Sequence, residues 1–93
     1  MREIERTGRF KRDYKREAKG RHRSTLAEDL VDVLRLLITD ALLPERYRDY
    51  ALTGNWSGFR DCHVKPDLVL IYEKPDADTL RLIRLGSHSE LGL

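Results

Sequence analysis

Four polar side chains in the second half of the sequence have the chemistry needed to cleave RNA without a metal: His63, Asp67, Arg84 and His88. Cleavage by the ribose 2′-hydroxyl needs one group to remove the 2′-OH proton, a second to protonate the departing 5′-oxygen, and a cation to stabilise the charge on the phosphorane. Histidine titrates near neutral pH and suits either proton-transfer role, whereas arginine stays charged and binds phosphate with paired hydrogen bonds. These residue types are therefore sufficient for the reaction if the fold brings them together.

Two other interpretations of the same residues stay open at this stage. His63, Asp67 and His88 could form a 2-His-1-carboxylate metal site, although their spacing is generic. Each histidine could also be an ordinary surface residue, which is how we interpret His22 between two arginines. The single cysteine, Cys62, is predicted to lie in the core; it excludes an internal disulfide and favours a reducing cytoplasm.

Three strands are predicted in the second half, over residues 59–64, 68–73 and 79–87, joined by two proline-containing turns. Side chains alternate between the faces of a strand, so Cys62 on a helix-covered face places His63 on the opposite, open face. The same alternation predicts that Arg84 and His88 meet His63 across the sheet. Asp67, in the first turn, is predicted to orient the imidazole of His63 or to accept a proton itself.

The first half of the sequence contains two helical patterns preceded by a short edge strand at residues 3–7. Apolar residues recur every four positions over residues 9–19, which predicts an amphipathic helix whose other faces are basic. A Thr25-x-x-Glu28 capping box followed by leucines at helical spacing predicts a second helix that ends before Pro44. Two amino-terminal helices packed on a small antiparallel sheet give an α+β fold, and 93 residues predict a single domain over the whole chain, 1–93.

Charge is concentrated at the amino terminus although the whole chain carries only +2. Residues 1–23 contain ten Lys and Arg against four Asp and Glu, whereas the remainder is net acidic. Such a block attracts a phosphate backbone, although a solvated helix face explains it equally well. No apolar run approaches the length of a membrane span, so we expect no membrane contact and a cytoplasmic location.

The order of the residues between Tyr47 and His88 resembles the YafQ branch of the RelE superfamily. That branch has the pattern Leu-x-Gly-x-Trp-x-Gly-[Tyr/Phe]-Arg-Asp-x-His-x-x-x-Asp, followed by an apolar strand and Arg-x-Gly-x-His. The matching residues are Leu52, Gly54, Trp56, Gly58, Phe59, Arg60, Asp61, His63, Asp67, Arg84, Gly86 and His88. An ordered series of this length is far more specific than any single motif within it.

The resemblance implies a toxin of a type II toxin–antitoxin system that cuts mRNA on the ribosome without a cofactor. It implies His63, Asp67, Arg84 and His88 as the catalytic set, with His88 as general acid, His63 or Asp67 as base, and Arg84 on the scissile phosphate. Its implied partners are a cognate antitoxin, the ribosome and mRNA, with operator DNA contacted only through the antitoxin. The basic residues implied to bind ribosomal RNA are those of the first helix: Lys11, Arg12, Lys15 and Arg16.

Two aromatic residues complete the implied RNA-binding set. Tyr50 lies where the YafQ-type pattern has a histidine that takes part in the site, and a phenol is a poor base at neutral pH. Trp56 could stack on an RNA base or pack over the sheet. The substitution at Tyr50 keeps open a non-catalytic module that only binds RNA or acts as an antitoxin-dependent corepressor.

Overall fold

A computed structural model describes all 93 residues of the chain. The α+β prediction is confirmed. The elements, in chain order, are β1 (Glu3–Arg6), α1 (Gly8–Glu17), α2 (Leu26–Ile38), β2 (Tyr50–Ala51), β3 (Arg60–Lys65), β4 (Leu68–Glu73), β5 (Thr79–Gly86) and α3 (His88–Leu91), with single 3-10 turns at Glu45–Tyr47 and Gly54–Trp56.

The strands form one five-stranded sheet in the order β1-β5-β4-β3-β2. The pairs β2–β3, β3–β4 and β4–β5 are antiparallel, as the short connections between them require, whereas β1 runs parallel to β5. The sheet is therefore mixed, and not wholly antiparallel as predicted. The sequence pattern shows that residues 3–7 suit an edge strand, but it does not show the direction in which an edge strand pairs.

One face of the sheet is covered by α1 and α2, and the main core lies between the two layers. The helix α2 contributes its predicted stripe of Leu26, Leu30, Val33 and Leu37, each at most 5% exposed. Full burial of a leucine side chain stabilises the fold by about 1.5–3 kcal/mol. The burial of this stripe is therefore a main contribution to the packing of α2 on the sheet. The sheet contributes side chains from three strands, including Cys62 as predicted.

The helix α1 is capped by Thr7, whose hydroxyl accepts a hydrogen bond from the backbone N–H of Phe10 at 3.2 Å. It ends at Glu17, two residues before the predicted end. The predicted capping box at the start of α2 is wrong, because the side chain of Thr25 makes no capping bond. A capping box forms instead at the start of α3, between Ser87 and Glu90.

The second face of the sheet is partly covered, although the sequence predicts an open face. Val69, Ile71 and Leu91 form a small buried cluster there, with Trp56 and Phe59 packed against it. Further contributors are Leu52 and Ile83. Since α3 and the loop before β3 supply most of this cover, the polar residues of this face lie on the part of the sheet between those two segments.

Candidate active site

His63 and His88 lie in contact at the end of the sheet. Residues His63, Val69 and Gly86 share one row across β3, β4 and β5, and His88 begins α3 two residues after Gly86. The Nε2 atoms of the two histidines are 3.0 Å apart, and the ring centroids are 4.9 Å apart. The predicted meeting of these two side chains is therefore present in the structure.

The hydrogen bond between the two rings restricts their protonation. One Nε2 must donate and the other must accept, so the two atoms share one proton. The Nδ1 atom of His63 is buried and has no hydrogen-bond partner. Because Nδ1 of His63 is buried without a partner, Nε2 is the nitrogen through which this ring exchanges a proton, and His88 is its neighbour there. His88 is exposed and half-buried His63 lies behind it.

The position of His88 depends on the capping box of α3. The hydroxyl of Ser87 accepts a hydrogen bond from the backbone N–H of Glu90 at 3.2 Å, and the carboxylate of Glu90 accepts one from the backbone N–H of Ser87 at 2.8 Å. His88 is the first residue of this capped turn. Both reciprocal bonds satisfy amides that have no partner inside the helix, and they hold the backbone at His88 in one conformation.

Asp61 supplies a buried carboxylate beside the histidine pair. It lies two residues before His63 on the same face of β3 and is 7% exposed. Burial raises the pKa of Asp61, and the nearby His63 and His88 oppose that rise. Asp61 belongs to the YafQ-type motif but was not among the predicted catalytic residues; its parity with His63 was the available signal that it lies at the site.

Arg84 lies in the same row of the sheet as Asp61, and its guanidinium is bound to α1. Its Nε donates to Oδ2 of Asp13 at 2.7 Å, and its Nη2 donates to Oδ1 at 3.3 Å. The arginine side chain is 13% exposed and the aspartate side chain is 6% exposed. Its Nη1 makes no hydrogen bond within the protein, so one edge of the guanidinium is left for another partner.

Asp67 lies away from the histidine pair. It forms an ion pair with Arg21, and its Oδ1 lies 3.1 Å from Nε2 of His22. It makes no hydrogen bond to His63. The loop between α1 and α2 thus packs on the turn between β3 and β4, and His22 has a structural contact that its sequence position did not indicate.

The two aromatic residues of the predicted set have different surroundings. Tyr50 is 59% exposed and pairs with Asp61 in the β2–β3 register. Trp56 packs edge-on against Phe59 with the ring centroids 5.7 Å apart. Gly58 adopts φ of +95°, a conformation that other residues rarely reach, and this turn helps to set Trp56 over the sheet.

The basic residues of α1 are all exposed, but they do not share one role. Lys11 and Lys15 border a groove of about 620 Å³ between α1, α2 and β1, whose floor includes Phe10 and Leu30. Arg12 is exposed with no ion pair. Arg16 instead binds inward, to Asp13, Glu17 and Glu90.

Metal ligands are not clustered at this site. No group of three or more His, Cys, Asp or Glu side chains is placed to hold one ion. Of the three residues considered as a metal triad, His63 and His88 are in contact, and Asp67 is bound to the interhelix loop.

None of the helices is both long and apolar enough to cross a membrane.

Comparison with known proteins finds relatives along nearly the whole chain. Residues 2–92 match the family described as "Bacterial toxin of type II toxin-antitoxin system, YafQ". The mRNA interferase toxin YafQ of Escherichia coli K12 is 42% identical over 92 residues, which cover 98% of this chain and 96% of that protein.

Solved structures agree with the sequence relatives. A copper-bound mutant toxin from Helicobacter pylori superposes with a TM-score of 0.85 at 35% identity, over 98% of this chain and 99% of the other. The Escherichia coli DinJ–YafQ toxin–antitoxin complex gives a TM-score of 0.79 at 40% identity, over 97% and 96% of the two chains. The chain therefore belongs to the YafQ family of toxins of bacterial type II toxin–antitoxin systems.

Proposed function

We propose that this chain is an endoribonuclease that cleaves mRNA on the ribosome and is held inactive by a cognate antitoxin. The observation that carries the proposal is the contact between His63 and His88 at 3.0 Å. Two imidazoles at this distance offer one proton donor and one proton acceptor at a single point of the surface. That is the pair of functions that cleavage by an internal hydroxyl requires.

In the proposed reaction, His63 removes the proton of the ribose 2′-hydroxyl and the 2′-oxygen attacks the adjacent phosphorus. The bond between phosphorus and the 5′-oxygen breaks, and His88, the more exposed ring, donates a proton to the leaving 5′-oxygen. The products are a 2′,3′-cyclic phosphate and a 5′-hydroxyl. The His63 contact favours this residue as base over Asp67, because Asp67 is engaged by Arg21 and His22.

Arg84 is the proposed phosphate ligand. Asp13 occupies Nε and Nη2 of its guanidinium, so Nη1 remains for a non-bridging phosphate oxygen. A charge held in place before substrate arrives stabilises the phosphorane without reorganisation. The ion pair with Asp13 supplies that preorganisation.

The ribosome and the mRNA are the proposed nucleic-acid partners. Exposed Lys11, Arg12 and Lys15 on α1 support binding to ribosomal RNA, because closely spaced cations bind phosphates through counterion release. Exposed Tyr50 and half-buried Trp56 lie on the face of the histidine pair and are the proposed stacking residues for RNA bases.

The antitoxin is proposed to dock in the groove between α1, α2 and β1. Exposed apolar side chains there, Ile4 and Val31, are both 43% exposed, and Lys11 and Lys15 lie beside them. This surface suits an amphipathic segment with an apolar face and acidic flanks. Operator DNA is proposed to contact the antitoxin and not this chain.

The test is cleavage of a defined message on purified translating ribosomes, with mapping of both new RNA ends. Wild-type protein is expected to give a 2′,3′-cyclic phosphate, and His88→Gln to reduce the rate by about 10²- to 10⁴-fold. The matched control is His22→Gln, which changes the remaining histidine and should leave the rate within about twofold. Binding to ribosomes without truncated message would instead favour the non-catalytic module.

A metal-dependent reaction is tested separately in a cleavage assay that does not itself depend on ribosomal magnesium. The proposed proton transfers need no metal, so cleavage should persist in EDTA. Loss of cleavage in EDTA, with recovery on addition of a divalent ion, would show that the histidine pair acts through a metal.

A further inference from the structure

A carboxylate is buried on the basic helix α1. Asp13 is 4% exposed and accepts hydrogen bonds from the backbone N–H of Leu85 at 3.0 Å and from Arg16 Nη1 at 3.2 Å, in addition to the two from Arg84. A buried carboxylate is tolerated only when its oxygens are paired in this way. Asp13 therefore ties α1 to the last residues of β5.

Arg16 makes a second link between the same elements. Its Nη2 donates to the carbonyl oxygen of Leu85 at 2.8 Å, and its Nε lies 3.3 Å from Oε2 of Glu90. Because β1 ends opposite Leu82, no strand pairs with β5 at Leu85 on this edge. Asp13 accepts from the backbone N–H of Leu85, and Arg16 donates to the carbonyl of Leu85. These side chains take the place of a neighbouring strand at this residue.

The crossing of α1 and α3 over β5 is very close. A Cβ atom at Gly86 would lie 2.9 Å from Arg16 Nη2 and 3.2 Å from Oε1 of Glu90. A larger residue at this position would have to displace the end of one of these side chains. In the structure both side chains therefore occupy the space beside the backbone that leads to His88.

We propose that Asp13, Arg16 and Glu90 form a clasp that positions His88 against His63 and holds Arg84 in the site. The path from α1 to the imidazole is short: Arg16 binds Glu90, Glu90 binds the backbone N–H of Ser87, and His88 follows directly. The three members of this clasp are positioning residues and do not contact RNA. The kinetic test of this proposal rests on the proposed nuclease function, whereas the spectroscopic test does not.

The kinetic test compares Asp13→Asn and Glu90→Gln with Glu28→Gln, a matched control on the exposed face of α2. Glutamine at position 90 can still accept from Ser87 N–H but loses the charge that pairs with Arg16. Each clasp variant is expected to lower kcat by about ten- to a hundredfold, because a shift of about 1 Å in a reacting group has an effect of that size. KM for translating ribosomes should stay within about threefold, and Glu28→Gln should match the wild type.

The second readout is independent of activity. Ring resonances of the three histidines in the free, unbound toxin are measured by ¹H–¹⁵N NMR, together with the nuclear Overhauser effect between His63 and His88. Clasp variants should weaken this effect and shift both of those rings while leaving His22 unchanged. Glu90→Asp, which shortens the carboxylate but keeps its charge, should recover part of both readouts relative to Glu90→Ala.

The outcomes separate the two proposals. Unchanged spectra of His63 and His88 in Glu90→Gln overturn the clasp, whatever happens to kcat. An Asp13→Asn chain that does not fold leaves the decision with Glu90→Gln, because the side chain of Glu90 is 41% exposed. If the wild type cleaves no RNA, the proposed function fails while the spectra still decide the clasp.

Discussion

The Nε2 atom of His63 lies 3.0 Å from the Nε2 atom of His88, although 25 residues separate the two in sequence. One strand carries His63 and a capped turn carries His88, so neither ring depends on a long flexible loop. The hydrogen bond between the rings makes one Nε2 the donor and the other the acceptor. The resting pair thus holds one donor and one acceptor before RNA arrives.

The shared proton predicts that mutations of the two histidines are not additive. His63→Gln and His88→Gln should each lower single-turnover cleavage by about 10²- to 10⁴-fold. The cleavage rate of the double variant should lie no more than about tenfold below that of the slower single variant, because removing either member of a pair that acts as one unit already removes most of its effect. Single-turnover cleavage with saturating toxin measures all three rates. Multiplicative losses would show that the rings act independently.

Much of the fold and part of the site could be predicted because they depend on local patterns. The period of α2, the three antiparallel strands and the face of His63 follow from alternation of apolar residues, and the structure confirms them. Parity predicted that Arg84 meets His63; in the structure Arg84 lies in the row of Asp61, and its guanidinium binds Asp13 and makes no hydrogen bond to His63. What alternation did not show is an irregularity in the register between β4 and β5 that places Ile83 on the same face as Arg84.

The unpredicted parts of the site depend on contacts between residues distant in sequence. Asp13 binds Arg84 across 71 residues, and Asp67 in the turn between β3 and β4 binds His22 of the interhelix loop. No spacing rule indicates these partners. A lone acidic residue in the Phe-Lys-Arg-Asp-Tyr segment, three positions after buried Phe10, was the available signal that Asp13 faces inward.

Tyr50 provides a prediction about the rate. It pairs with Asp61 in the sheet, where the YafQ-type pattern has histidine. Tyr50→His should raise the cleavage rate at pH 7 by up to about tenfold, because an imidazole there can transfer protons near neutrality and a phenol does so poorly. Tyr50→Phe separates stacking from hydrogen bonding, since it keeps the ring and removes the hydroxyl. Initial rates on translating ribosomes provide the measurement; equal rates for all three proteins would show that this position does not touch the reaction.

We expect the substitution Asp61→Asn to have opposite effects on the stability of the chain and on its cleavage activity. Burial raises its pKa above the ordinary value, so its ionisation at neutral pH destabilises the folded chain relative to the unfolded one. Asp61→Asn should therefore increase the free energy of unfolding at pH 7 by about 0.5–2 kcal/mol, within the range common for stabilising changes near functional sites. Cleavage should fall, because the change removes the negative charge beside the two rings that carry the proposed proton transfers.

The difference in the free energy of unfolding between Asp61→Asn and the wild type should depend on pH. Below the ordinary pKa of an aspartate the carboxyl is neutral in both states, so the advantage of the asparagine variant should be absent at pH 3 and grow as pH rises through the folded pKa. Urea unfolding of both proteins at pH 3, 5 and 7 measures this difference. A variant less stable than the wild type at pH 7 would mean that Asp61 gains more from its neighbours than it loses by burial.

Four of the exposed cations of α1 should separate into two groups. Lys11, Arg12 and Lys15 make no internal ion pair, so each change to glutamine should weaken ribosome binding and reduce the slope of log Kd against log salt concentration by about 1. Arg16 is bound to Asp13 and Glu90, so Arg16→Gln should lower kcat and leave that slope nearly unchanged.

Binding is measured by sedimentation with 70S ribosomes over a range of KCl at fixed magnesium, and cleavage is measured on the same particles. All four variants remove one positive charge from the same helix, so net charge alone predicts four equal losses of binding. A normal kcat for Arg16→Gln with a reduced slope would place Arg16 on the RNA, and the division of α1 into an RNA-binding group and an internal arginine would be wrong.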